Sequence, residues 1–117
     1  MSGVRNPHRP QFLEDSMYCC SFVFTPGEYD DEFYRLNSAI DVYCKSLADF
    51  SHVESWQSAD GAKLNSMYFF KTQEAIDKLA NLKAHLTAKE NVDRWYLDYR
   101  VEVFELIRSY SKERLND

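Results

Sequence analysis

The run from Asn65 to Tyr96, NSMYFFKTQEAIDKLANLKAHLTAKENVDRWY, puts an aromatic extended segment directly ahead of an amphipathic helical one. Asn65 to Lys71 has the composition of a strand, and Thr72 fits the N-cap of a helix in which Ala75, Ile76, Leu79 and Ala80 form the buried stripe. A break is expected near Asn81 to Lys83, followed by a short helix from His85 to Asn91. A strand that passes through a cap into a one-sided helix implies a sheet on which that helix lies.

The rest of the chain supplies the other strands. Met17 to Phe24 (MYCCSFVF) is rich in aromatic and small apolar residues and stops at Thr25-Pro26-Gly27, so it reads as a strand with a defined end. Thr25 is expected to cap the next helix, with Pro26 at its first position and Glu28 completing a capping box. Tyr29, Phe33, Leu36, Ile40, Tyr43 and Leu47 recur at intervals of three and four, the spacing of one helix face. His52 to Ser58 alternates in character, Ala59-Asp60-Gly61 is a turn signal, and the strand from Asn65 should return antiparallel. Arg100 to Tyr110 (RVEVFELIRSY) is β-branched and aromatic, and makes the last strand. The sum is βαββαβ, the split βαβ order of an α+β, ferredoxin-like domain: a four-stranded antiparallel sheet with both helices on one face.

Such a sheet leaves its second face bare, and here that face is not polar. Alternation along the first strand puts Tyr18, Cys20, Phe22 and Phe24 on one side and Met17, Cys19, Ser21 and Val23 on the other. The third strand likewise divides into Met67 and Phe69 against Tyr68 and Phe70. If helices cover one face, a second copy of the same sheet is the simplest cover for the other, so a homodimer packed through its sheet faces is expected.

The chain has 117 residues, 44% hydrophobic and 28% charged, with three glycines and three prolines, which fits a single globular domain over residues 16–117 behind a flexible N-terminal tail over 1–15. A net charge of -5 without a Lys/Arg cluster argues against nucleic acid as a partner. Neither a signal-type apolar region nor a run of about twenty apolar residues occurs, so no membrane association is expected. Cys19, Cys20 and Cys44 lack the spacing of a zinc or redox pair and read as buried thiols of a cytoplasmic protein. Glycine-rich phosphate loops, a nucleophile elbow and HExxH are absent, and no metal or cofactor is expected.

The βαββαβ order, a first strand running into FTPGEYDDEF, VESW in the second strand and the run MYFFKTQEAIDKLANLKAH together resemble the antibiotic biosynthesis monooxygenase family of the dimeric α/β-barrel superfamily, over about Met17 to Tyr110. The resemblance implies small homodimers in which each subunit holds a pocket between sheet and helices. Some members of that family oxidise polycyclic phenols to quinones with O₂ and no metal or flavin, some degrade haem, and many have no known activity. The haem-degrading branch relies on an Asn in the first strand and a Trp in the second helix. MYCCSFVF has no Asn and TQEAIDKLANLK no Trp, which leaves His85 as the one candidate iron ligand and makes haem the third reading.

His85 is the candidate catalytic base, since a neutral imidazole can take a phenolic proton; the alternative is a packing role at a helix junction. Trp56, Tyr68 and Trp95 offer flat walls for an aromatic or polyketide-like ligand, although buried rings more often belong to core or interface. Asn65 could orient a substrate carbonyl through its amide, or simply end the turn before it. Arg100 could steady a phenolate. The leading expectation is therefore a cofactor-independent monooxygenase acting on a small aromatic molecule. The competing one is a non-catalytic dimeric binding or stress-related protein of the same fold.

Overall fold

The computed structural model describes residues 16–112; the expected tail over residues 1–15 lies outside them. The elements are β1 (Tyr18–Pro26), α1 (Asp31–Ser46), β2 (Phe50–Gln57), β3 (Leu64–Phe70), α2 (Gln73–Ala80), α3 (Lys83–Glu90), the single turn α4 (Val92–Trp95) and β4 (Tyr96–Glu105). The strands form one sheet in the order β2-β3-β1-β4, every neighbouring pair antiparallel, so β1 and β3 are central and β2 and β4 are edges. This is the ferredoxin-like arrangement that the order of elements predicts. No helix among the described residues is long and apolar enough to cross a membrane.

The helices lie on one face, and the alternation of β1 and β3 decides which residues meet them. Cys44 of α1, Phe70 of β3 and Ala75, Ile76 and Leu79 of α2 form one buried cluster, with Tyr18, Cys20, Ile40, Phe50 and Tyr68 packed against it. A second cluster joins Phe33 and Leu36 of α1 to Trp95, flanked by Tyr29, Ala84, Ala88 and Tyr96. Tyr18, Cys20, Tyr68 and Phe70 therefore face the helices, and Cys19, Ser21, Met67 and Phe69 face away from them. Burial pushes the Cys19 thiol up to about 11 and the Cys44 thiol up to about 12, so both remain protonated packing groups at neutral pH.

Helix α1 begins five residues later than the Thr25 cap predicts. Pro26 is still in β1, opposite Tyr96, and the Gly27 N–H donates to the Trp95 carbonyl at 2.7 Å. A Cβ on Gly27 would stand 2.9 Å from that oxygen, so the approach of the two backbones requires glycine. The chain is thus tied to the start of β4 before it can turn, and Thr25 donates its hydroxyl to Asp98 instead of capping a helix. Asp30 is the N-cap: its Oδ1 accepts from the Phe33 N–H at 2.9 Å and from Trp95 Nε1 at 3.1 Å, while Oδ2 pairs with Arg94. The second cap matches its expectation, with Thr72 Oγ1 accepting from the Ala75 N–H.

The hydrogen bond from the Phe33 N–H holds the Asp30 carboxyl below the usual carboxylate range; desolvation opposes it, and the Trp95 indole and Arg94 add to the lowering. A carboxyl depressed on folding adds stability above its unfolded pKa, near 4, and loses it as pH falls through the lower folded value. Asp30→Asn keeps a capping oxygen but no charge. Its melting temperature is expected to lie below wild type at pH 7, with the gap narrowing as the pH is lowered below about 4, which thermal melts across that range check.

At the β2–β3 connection Gly61 sits at φ 75°, the left-handed conformation that favours glycine, and the Asp60 carboxylate accepts from the Ser58 hydroxyl and the Ala62 N–H. β4 starts at Tyr96, four residues ahead of the expected Arg100, because α4 delivers the chain straight to the end of β1. It ends at Glu105, where β1 runs out. The Leu106 N–H still reaches the Met17 carbonyl at 2.8 Å, but Ile107 to Tyr110 lie outside the strand despite their strand-like composition.

Candidate functional site

Strand registers turn the uncovered face into a grid. Asn65 stands opposite both Trp56 and Val23, and Val23 is opposite Arg100, so one row crosses all four strands as Trp56, Asn65, Val23, Arg100. With strands spaced at about 4.8 Å, the row spans about 14 Å. The next row is Glu54, Met67, Ser21, Glu102, and the one beyond it His52, Phe69, Cys19, Phe104. The centre of the face is largely apolar, and its charged groups sit on the two edge strands.

Within the first row the polar atoms are arranged rather than scattered. Ser21, only 3% exposed, donates its hydroxyl to Asn65 Oδ1 at 3.0 Å. That bond occupies the amide oxygen and leaves the Asn65 NH₂ as the group with donors to offer. Trp56, 63% exposed, donates its indole N–H to Glu54 Oε1 at 3.0 Å, which fixes the ring beside Asn65. Arg100 at the other end of the row is held by Glu102 at 3.0 Å. The row thus offers an aromatic plate, a directed amide donor and a guanidinium on one surface.

The six residues expected to share a pocket between sheet and helices do not do so. Trp56, Asn65 and Arg100 are on the uncovered face; Tyr68, Trp95 and His85 are on the helix side. The divide follows from strand parity: Asn65 and Tyr68 are three apart on β3 and must point to opposite faces. Trp95 is 2% exposed, packs edge to face on Phe33 and gives its N–H to Asp30, so it is a core ring and not a ligand wall. The Tyr68 hydroxyl is committed to Asp41 at 2.8 Å, and burial, then that bond, raises its pKa.

His85 sits on α3 with its Nδ1 shut off from solvent and without a hydrogen-bond partner. Burial lowers its pKa, the Lys89 ammonium lowers it further and the Ala80 backbone opposes, so the ring is neutral at pH 7. A neutral imidazole is a competent base in kind, yet the sheet separates it from the Trp56 row, and it cannot serve a ligand held there. An open depression of about 610 Å³ between α1 and the α2–α3 junction, lined by Tyr43, Glu74, Asp77 and Lys78 among others, includes none of the six.

Sequence reasoning passed over His52 as the start of a strand. In the structure it lies on the uncovered face, its Nε2 3.1 Å from Glu54 Oε2, its Nδ1 2.8 Å from Ser51 Oγ and its ring stacked on Phe69 at 4.3 Å. The signal was available: His52, Glu54 and Trp56 follow one another at a spacing of two, which in a strand places all three on one face.

No known family's sequence pattern matches the chain, and no curated protein sequence does either. Solved structures do match. SnoaB, a cofactor-independent oxygenase from Streptomyces nogalater, is similar at a TM-score of 0.63 and 10% identity, covering 84% of this chain and 99% of its own. A protein provisionally described as an antibiotic biosynthesis monooxygenase, from Nitrosomonas europaea, gives 0.59 at 14% identity, covering 81% and 94%. A dabb family protein with a ferredoxin-like fold from Mesorhizobium loti gives 0.54 at 14% identity, covering 76% and 95%. At these identities the likeness establishes the fold, and function has to be argued from the site.

Proposed function

We propose that two copies of the chain pack their uncovered faces together into an eight-stranded barrel, and that the barrel holds a small aromatic or polyketide-like molecule against Trp56, Asn65 and Arg100. On this reading the protein is a cofactor-independent monooxygenase of the antibiotic biosynthesis type. The observation that carries it is the single row formed by those three side chains on a face that no helix among the described residues covers. A closed barrel would also remove the free edges of β2 and β4, and eight strands enclose a lumen that can hold one small ligand. The three free thiols fit a reducing, cytoplasmic setting.

The chemistry asked of the row is modest. Stacking on Trp56 would orient a planar ring, the Asn65 NH₂ would donate to a carbonyl or phenolate oxygen, and Arg100 would stabilise negative charge as the substrate is deprotonated. The substrate's own carbanion would then react with O₂. Oxygen uptake with an anthrone is the test. Wild type should exceed the protein-free rate, and Trp56→Ala and Asn65→Ala should each lower kcat/KM at least about tenfold, the loss of one contact worth about 1.4 kcal/mol in the transition state. An uptake rate equal to that without protein, despite binding, would leave the competing reading, a non-catalytic binding protein of the same fold.

A further inference from the structure

The uncovered face carries one more chemical device, a line of hydrogen bonds along edge strand β2. It runs from Ser51 Oγ to His52 Nδ1 at 2.8 Å, from His52 Nε2 to Glu54 Oε2 at 3.1 Å and from Glu54 Oε1 to Trp56 Nε1 at 3.0 Å. The pairing of β2 with β3 slips between Phe50 and His52, leaving Ser51 without a register partner beside the imidazole. Face-to-face stacking on Phe69 fixes the plane of that ring. Glu54 lies one row from Asn65, about 7 Å along the strand, which a carboxylate and a bound hydroxyl can bridge. The other titratable groups on these rows are Cys19, Glu102 and Arg100, the last two paired with each other along β4, and Asp98 with its partner Lys63 stands one row beyond Arg100.

We propose that Glu54 is the proton acceptor of this face, taking the proton of a phenol or enol bound on the Trp56–Asn65 row while His52 holds its carboxylate in place. The inference rests on the proposed ligand-binding role of the row. The O–H bond of the ligand breaks and its electron pair stays on the ligand oxygen, which becomes an oxyanion beside the Asn65 NH₂. The proton bonds to Glu54, whose carboxylate becomes a carboxylic acid, and no oxidant or reductant is consumed. His52 is in the tautomer whose Nε2–H donates to Glu54 Oε2, while its Nδ1 accepts from the Ser51 hydroxyl. Glu54 is the group that would touch the ligand. His52 and Ser51 position it.

The test uses alizarin, a planar phenol whose neutral and anionic forms differ in visible absorbance, at a pH where the free dye is mostly neutral. Wild type is expected to bind the dye, measured by equilibrium dialysis, and to convert the bound fraction to the anion. Glu54→Gln should still bind the dye, its Kd weakened about tenfold by the lost proton transfer, while the bound anion fraction falls at least about tenfold, and His52→Gln should fall between the two. An equal anion fraction in Glu54→Gln and wild type would overturn the proposal and leave the binding site standing. Dye binding that persists unchanged in a Trp56→Ala, Asn65→Ala double variant would remove the site and the proposal with it.

Discussion

Phe70→Ala is expected to be the most damaging single substitution in the subunit. Phe70 is fully buried at the end of central strand β3, where it meets Cys44 of α1 and Ala75, Ile76 and Leu79 of α2 and packs edge to face on Phe50 at 5.9 Å. Removing a ring from such a site costs about 3 to 5 kcal/mol, transfer and cavity terms together. A domain of this size has only about 5 to 15 kcal/mol to lose. The melting temperature should fall by at least about 12 °C, read by calorimetry or circular dichroism. Phe69→Ala, one residue away but on the other face, should leave the monomer's core intact. A similar loss in both variants, melted at a concentration where the chain is monomeric, would contradict the assignment of faces.

The second large effect concerns assembly. Met67 sits at the centre of the uncovered face, opposite Ser21 and Glu54. Met67→Asp would place two carboxylates, one per subunit, into a barrel interior, at a desolvation penalty of several kcal/mol per ion. Even about 4 kcal/mol is a thousandfold in Kd. Light scattering at micromolar concentration should therefore report twice the 13.8 kDa chain mass for wild type and the single mass for the variant. A wild-type monomer, or a variant that remains dimeric, would show that the two sheets do not meet through this face.

The two variants draw on the part of the structure most open to sequence reasoning. Both faces of β1 and β3 are apolar, and alternation alone assigns Tyr68 and Phe70 to one side and Met67 and Phe69 to the other. The stripe of α1 and the cap of α2 were equally readable, because periodicity and a Thr N-cap are local. Boundaries set by contacts far along the chain were not. The helix does not start at Thr25 because Gly27 is held by Trp95, nearly seventy residues away, and β4 does not reach Tyr110 because its partner strand ends first. The single turn α4 is too short to carry a periodic pattern.

The site divides in the same way. Residue types were legible: a tryptophan, an amide, an arginine and a histidine are groups that an aromatic ligand calls for. Their placement was not. Register, which no single strand encodes, puts Trp56, Asn65 and Arg100 in one row and leaves His85 across the sheet with Trp95 and Tyr68. The spacing of Asn65 and Tyr68, three apart on one strand, does separate those two. The same alternation would have drawn attention to His52 through Glu54 and Trp56.

The central claim, that ligand binds the uncovered face and not the helix side, can be read from two resonances. The chain has two tryptophans, Trp56 on the uncovered face and Trp95 in the helix-side core, so its ¹H–¹⁵N spectrum carries one indole cross-peak for each surface. Titration with alizarin is predicted to shift the Trp56 indole peak and the Asn65 side-chain amide while the Trp95 peak stays in place. A shift confined to Trp95 would put the ligand beside the helices and contradict the account.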